Sequence, residues 1–379
     1  MYTPVDHASS ELRCSLAMVF ARDIGISSYR KLLSRFHSAE NIFNATYKEL
    51  AATVNIGASK AESIRSFSRW DIVDREIAKA ESKGVSIIHF LHPDYPEQLR
   101  NFDDAPVVIY VKGRICPDDL NSVAVVGSRL MSEYGKKAVR ELSGGLAAAG
   151  LTIISGMARG IDTAAHEAAL NAGGRTIAVL GSGLDIIYPS ENRRLFNKIT
   201  ESGAVISEFP FGTGPLKENF PRRNRLISGL SLGVLVVEAA PNSGSLITAS
   251  YALEQGKEIF AVPGNIGQKN SEGTNRLISS GAKLVLNVSD IIEELAPKIK
   301  KQLDLSGSKT GTDITARIEA LEINEDEKAI CTVLASGPQH IDQILRQLNI
   351  PSSKLSGILL NLELKGIVKQ LDGKKFEIV

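Results

Sequence analysis

Between residues 121 and 296 the chain alternates short, unbroken apolar runs with longer stretches of helical periodicity. The runs are SVAVVGSR (122–129), LTIISGMARGID (151–162), RTIAVLGSGLD (175–185), GAVISEFP (203–210), LGVLVVEA (232–239), EIFAVPG (258–264) and AKLVLNV (282–288). KKAVRELSGGLAAAG (136–150) and SLITASYALEQG (245–256) are examples of the helical stretches between them. Continuous β-branched runs separated by helices predict a parallel sheet covered on both faces. The fold class is therefore α/β, a doubly wound sheet.

The flanking patterns differ. From residue 1 to about 70 apolar positions recur at helical spacing, as at Leu12, Leu16, Val19 and Phe20. DIGISSYRKLLSRF (23–36) and NIGASKAESIRSF (55–67) resemble each other, each with a glycine after Ile and then an amphipathic helix. That is a helix–hairpin–helix pattern, which presents backbone N–H groups to phosphate; alternatively Gly25 and Gly57 serve only as turn residues. Residues 71–115 lead onward through a helix (71–83), a strand VSIIHFL (85–91), a turn-rich HPDYPEQL and a second strand PVVIYVKG (106–113). Residues 297–322 are polar without apolar periodicity and read as a flexible linker.

Residues 323–379 give three amphipathic helices, on Ile330, Val333 and Leu334, then Ile341, Ile344, Leu345 and Leu348, then Leu355, Ile358, Leu359 and Leu362. A hairpin turning at Asp372-Gly373 follows. Three helices and a hairpin make a winged helix. Its third helix carries Lys354, Glu363 and Lys365, net +1. Duplex readers neutralise several phosphates, so a protein-contact or modulatory role is favoured over DNA reading.

Composition changes this picture little. With 379 residues, 43% hydrophobic and 23% charged, the chain is ordinary for globular protein of two or three domains. No apolar run approaches the ~20 residues of a bilayer span. The N-terminal segment lacks a basic region and cleavage site, so no signal peptide is expected. Cys14, Cys116 and Cys331 are scattered and odd in number. They read as reduced thiols in a cytoplasmic protein.

Charge does change it. The chain's net charge is only +1, yet Lys217, Arg222, Arg223 and Arg225 against Glu218 give +3 over nine residues. Pro221 suits the first turn of a helix, and Leu226 and Ile227 begin an apolar face. A helix start with spare N–H groups and four cations suits phosphate. Phe220 beside them can stack on a base. The alternative is a surface helix with solvated arginines and a core Phe220. The strand ends carry Gly127-Ser128-Arg129, Ser155–Gly160, Gly181-Ser182-Gly183, Glu208, Glu238 and Pro263-Gly264-Asn265. In an open parallel sheet ligands bind at that rim, and KENFPRRNR (217–225) opens onto it. Arg222 and Arg225 share one helix face and Arg223 another. Which of them point outward, and which tie to Glu208 or Glu238, stays open.

Enzyme signatures are weak. VVGSRLMSEYG lacks the dinucleotide glycine pattern, there is no P-loop, and Ser155 is not in a nucleophile elbow. Asp162 and His166 could form an acid–base pair, but Asp162 as helix cap with His166 packed nearby is simpler. Glu238 has no evident partner. His89 and His92 lack metal-ligand spacing. Tyr188 and Phe196 read as core or crevice wall. No cofactor and no metal are expected.

The ordered set GSR (127–129), SGMARGID (155–162) with Ala165-His166, NFPRRNRLISGLS (219–231), VVEAAPNSGSLITA (236–249), VPGN (262–265) and EGTNRLISSGA (272–282) resembles the DprA/Smf DNA-processing family. The resemblance covers essentially the whole chain. It implies a helical N-terminal domain (1–70), an extended Rossmann-like core with a mostly parallel sheet (71–296) and a winged helix (323–379). It further implies a non-enzymatic mediator that binds single-stranded DNA, helps load the RecA recombinase in natural transformation, and acts as a homodimer. Carried onto this chain, the DNA site would comprise Ser128, Arg129, Gly156, Arg159, Lys217, Phe220, Arg222, Arg223, Asn224, Arg225, Asn242 and Ser243. Rivals are a Rossmann-like nucleotide phosphoribohydrolase, whose PGGxGTxxE motif is replaced here by PNSGSLITA, and a winged-helix transcription factor with an α/β sensor.

Overall fold

The computed structural model describes residues 9–306, 325–334, 337–348, 350–364, 367–371 and 374–378. Contacts divide the chain into two units, 1–297 and 298–379.

The first unit is built on a nine-stranded sheet. Its strands are β1 (Ser86–His89), β2 (Val108–Gly113), β3 (Ser122–Val126), β4 (Thr152–Ser155), β5 (Thr176–Val179), β6 (Ala204–Ser207), β7 (Gly233–Val236), β8 (Glu258–Ala261) and β9 (Lys283–Leu284). The order is β1-β2-β6-β5-β4-β3-β7-β8-β9. From β6 to β9 every pairing is parallel, while β2 runs antiparallel to both β1 and β6. The sheet is mostly parallel because helices cover both faces, so the strands β3 to β7 are buried at every position. The chain leaves β3 outward to β4, β5 and β6, then returns to β7 on the other side. That reversal opens a crevice at the carboxyl ends of β3 and β7.

Two cores sit on the two faces. Leu226, Ile227, Val234, Ile154 and Ala124 share one. The other joins the N-terminal helices, through Leu12, Tyr29 and Leu50, to Tyr110, Ala178 and Val205 of the sheet. The expected boundary at residue 70 therefore has no break in packing beneath it. Polar ties reinforce the join. Glu76, on the helix Trp70–Ser82, accepts from the Tyr110 hydroxyl at 2.9 Å and from Phe211 N at 2.8 Å. Lys79 pairs with Asp185 at 2.8 Å, and Asp185 accepts from Gly212 N at 2.9 Å. Burial is the largest influence on the Glu76 carboxyl and raises its pKa.

Two expected elements differ. The apolar run at 282–288 contributes only the two-residue edge strand β9. The helix Val288–Ser306 continues into the segment read as linker, its Asp290 accepting from Leu286 N and Asn287 N in its first turns; residues 307–322 lie outside the described residues.

The second unit is a winged helix with helices Glu325–Leu334, Ile341–Leu348 and Ser352–Leu364. Its strands β10 (Gln339–His340), β11 (Val368–Leu371) and β12 (Lys375–Ile378) pair antiparallel in the order β10-β12-β11. Ile330, Ile344, Leu355, Leu359, Leu362 and Phe376 form its core. The Asp372-Gly373 turn and Lys365 lie outside the described residues.

Candidate functional site

The basic helix spans Asn219–Gly229, with Pro221 in its first turn and no side chain capping it. Its cations go to three different places. Arg223 is 4% exposed. Its Nη1 donates to Gly156 O at 2.6 Å and to Val179 O, and its Nε to Asn224 Oδ1 at 3.1 Å. It thus spans the carboxyl ends of β4 and β5. A Cβ on Gly156 would lie 2.6 Å from the guanidinium carbon, so glycine is required for this approach. Burial lowers the Arg223 pKa to about 10, opposed by the charge of Asp162.

Arg225 is excluded from the crevice. Its Nη2 donates to Glu208, its Nη1 to Asp104 O at 2.6 Å, and both side chains of the Arg225–Glu208 pair are buried. Of the alternatives left open for the arginines, Arg225 takes the tie to Glu208, because helical phase turns it toward the end of β6. Arg222 lies on the same face, 4.0 Å from Glu208 and 5.1 Å from the Phe209 ring, but stays half exposed.

The remaining groups converge. A cavity of about 550 Å³ is walled by Gly127, Arg129, Lys217, Phe220, Arg223, Asn224 and Ser243. A smaller pocket below it is lined by Gly156, Arg159, Gly181, Ser182, Tyr188 and Phe220. Arg129, Phe220 and Arg223 line both. The Arg129 guanidinium stands 5.3 Å from the Phe220 ring centroid, and Tyr188 lies 5.9 Å from the same ring. Arg129 and Lys217 are exposed. Arg159 makes two bonds to Glu191, at 2.6 and 2.9 Å, with both side chains more than half exposed.

The turns that present these groups are interlocked. Ser128 Oγ accepts from Leu130 N at 3.2 Å and donates to Leu130 O, closing the loop that carries Arg129. Ser128 O accepts from Ile161 N at 3.1 Å. Ser243 caps the helix Gly244–Glu254. Asn242 is exposed and lies outside both cavities' walls.

Asp162 does not cap its helix, Ile161–Asn171; Gly160 holds that position. Asp162 instead accepts from Ala158 N at 3.3 Å and is buried at the crevice floor, where burial raises its pKa against the pull of Arg223. His166 is fully buried with Nδ1 2.6 Å from Thr176 Oγ1, and burial holds its pKa down at about 3. Its bond goes to Thr176, not to Asp162. Glu238 does have partners: Ser132 N at 2.9 Å, Ser132 Oγ, and Asn270 Nδ2 at 3.5 Å. His89 and His92 meet edge to face at 5.6 Å, and among the described residues no group of three or more metal-ligating side chains occurs. Among the same residues no helix is long and apolar enough to cross a membrane.

The crevice also uses residues that no motif or spacing singles out. Pro215, Ile247 and the buried Thr248 also line it. Ser182 stands in the pocket below, within a glycine cluster that does mark a strand end, but Pro215 and Ile247 carry no such mark.

Known proteins share this fold and much of its sequence. A sequence model of the family described as DNA recombination-mediator protein A matches residues 86–296, and one of the DprA winged helix domain matches residues 316–374. Protein Smf of a Synechocystis strain is 32% identical over 395 residues, spanning 98% of this chain and 99% of its own. The crystal structure of DNA processing protein A from Streptococcus pneumoniae superposes with a TM-score of 0.65 at 38% identity, covering 74% of this chain and 97% of that one. DNA processing protein A from Helicobacter pylori, whose structure addresses its single-stranded DNA binding mode, gives 0.51 at 31% identity over 56% and 96% of the two chains.

Proposed function

Because the chain belongs to the DNA recombination-mediator protein A family of DNA-processing proteins, also called DprA or Smf, we propose that its crevice binds single-stranded DNA. The observation that carries this reading is the convergence of Arg129, Lys217, Phe220 and Arg223 on one cavity at the carboxyl rim. Phosphates run across that rim. Arg129 and Lys217 meet them from the walls, and Arg223 supplies positive potential from the floor. Arg159 joins them by exchanging Glu191 for a phosphate. Phe220 packs a base or sugar, worth roughly 1–3 kcal/mol per stacked base. Contacts to phosphate position a strand without reading it, so this part of the site is insensitive to sequence.

In the same reading the protein is a non-catalytic, cytoplasmic mediator. It works as a homodimer, two grooves raising avidity without new contacts, and hands the strand to RecA. The winged helix then serves as a contact or modulatory surface, consistent with its Lys354–Asp326 and Lys369–Glu377 pairs, which spend two of its lysines on internal charge.

The test is a titration of oligo-dT against duplex DNA across a range of salt. The single strand should bind more tightly. Arg129→Glu and Lys217→Glu should each weaken it and reduce the slope of log K against log salt by about one unit or more. Wild-type affinity and slope in both variants would place the groove elsewhere.

A further inference from the structure

Between the end of β6 and the basic helix the chain runs through residues 208–218 with no helix or strand of its own. Lys217 sits at the end of this loop, five residues past Gly212. The loop is shaped by carboxylates from other elements. Glu76 Oε1 accepts from Phe211 N at 2.8 Å, and Asp185 Oδ1 accepts from Gly212 N at 2.9 Å. Hydrogen bonds from main-chain N–H groups to carboxylates are strong ones, and here two fall on consecutive residues. The Tyr110 hydroxyl donates to the same Glu76 oxygen at 2.9 Å, and Lys79 Nζ donates to Asp185 Oδ2 at 2.8 Å. The Phe211 ring lies 5.3 Å from the Tyr110 ring, edge to face, and 5.1 Å from Lys79 Nζ. Gly212 has φ +82°, which only glycine adopts freely, so the bend is fixed at this position.

Asp185 also ties this loop to the one after β5. Gly183 N donates to Thr213 O at 2.9 Å, and a Cβ on Gly183 would lie 2.5 Å from Pro210 O and 2.9 Å from Asp185 Oδ1. Glu76 and Lys79, three apart on one face of the helix Trp70–Ser82, hold the joint from the N-terminal region. That helix lies outside residues 86–296, the stretch matched by the family model. None of Glu76, Lys79 and Asp185 lines either cavity of the crevice. Phe220 is placed differently, on a helix anchored by Arg223 and Arg225. Of the groove's groups, Lys217 is therefore the one whose position depends on the two carboxylates.

We propose that Glu76 and Asp185 are positioning residues of the strand site, which hold the loop 208–218 so that Lys217 faces the same cavity as Arg129. The proposal rests on the strand-binding reading above and adds to it residues that act through Lys217 without touching the strand.

The experiment is a set of double-mutant cycles on the full chain, read as oligo-dT affinity at one fixed salt concentration. Asp185→Ala removes the bonds to Gly212 and Lys79 and should weaken binding about fivefold or more, in the range of coupled neighbours. Asp185→Asn keeps an oxygen for Gly212 N and should recover part of that loss. In a Lys217→Ala background the further loss from Asp185→Ala should shrink to within about twofold, because the group it places is already gone. In a Phe220→Ala background the loss should persist in full. Lys79 is 41% exposed, so Lys79→Met leaves the core untouched; it should repeat the pattern at smaller size and carries the cycles if Asp185→Ala does not fold. Equal losses in the wild-type and Lys217→Ala backgrounds would make the network a general support of the fold and overturn the proposal alone. Wild-type affinity in both Asp185→Ala and Lys79→Met would do the same. A wild-type chain that binds no oligo-dT would overturn the strand reading, and the proposal with it.

Discussion

Arg223 and Arg225 are two positions apart in one cationic run, yet one floors the crevice and the other is locked onto Glu208. Helical phase alone assigned Arg222 and Arg225 to one face and Arg223 to another, and the structure has that division. Which face met the crevice depended on where Glu208 and the β4 and β5 ends lay, and nothing local to the run encodes that. His166 makes the same point with a measurable consequence. Its pKa is about 3 in the fold, against about 6.5 in an unfolded chain. As pH falls below about 6.5 the unfolded chain takes up the proton and the folded chain does not, so stability complete above that pH is lost progressively toward pH 3. Urea midpoints at pH 7, 6, 5 and 4 should therefore fall more steeply for wild type than for His166→Asn, which retains a polar partner for Thr176. Parallel curves would mean that His166 is charged in the folded protein.

The strands were legible because unbroken β-branched runs bounded by glycine leave few alternatives, and their carboxyl ends marked the rim. The reversed strand β2 was not, since an apolar run has no direction. The short β9 also escaped, because an edge position relaxes the demand for apolar pairing that the run at 282–288 advertises. At this scale the glycines of the turns are the sensitive parts. A methyl at Gly156 would press on a guanidinium held by two carbonyls, and Arg223 has little freedom to retreat. Gly156→Ala should lower stability by about 1–3 kcal/mol, the range of an overpacked core, and weaken oligo-dT binding with it. Gly144→Ala, where the nearest atom to the new Cβ is 3.8 Å away in the interior of the helix Glu133–Ala148, should be neutral or stabilising by up to about 1 kcal/mol. Chemical denaturation of the two variants side by side separates these outcomes.

Across the first unit, the N-terminal helices and the sheet share one core, and Glu76 and Asp185 hold the Phe211-Gly212 turn that precedes Lys217. Periodicity could show that residues 1–70 were helical but not that they had no core of their own. Arg223 gives this unit a further property. Its hydrogen bonds run to carbonyls and an amide, and the buried Asp162 on the same crevice floor offsets part of its charge without bonding to it. On the strand-binding reading, a phosphate above would add to that compensation. Cargo and scaffold then melt together: oligo-dT at a hundred times its dissociation constant should contribute about 2.7 kcal/mol and raise the thermal midpoint of the first unit, an increase that Arg223→Met should largely lose. If the proposed reading holds, the free protein would be the looser of two forms, and a bound strand would act as its last structural part.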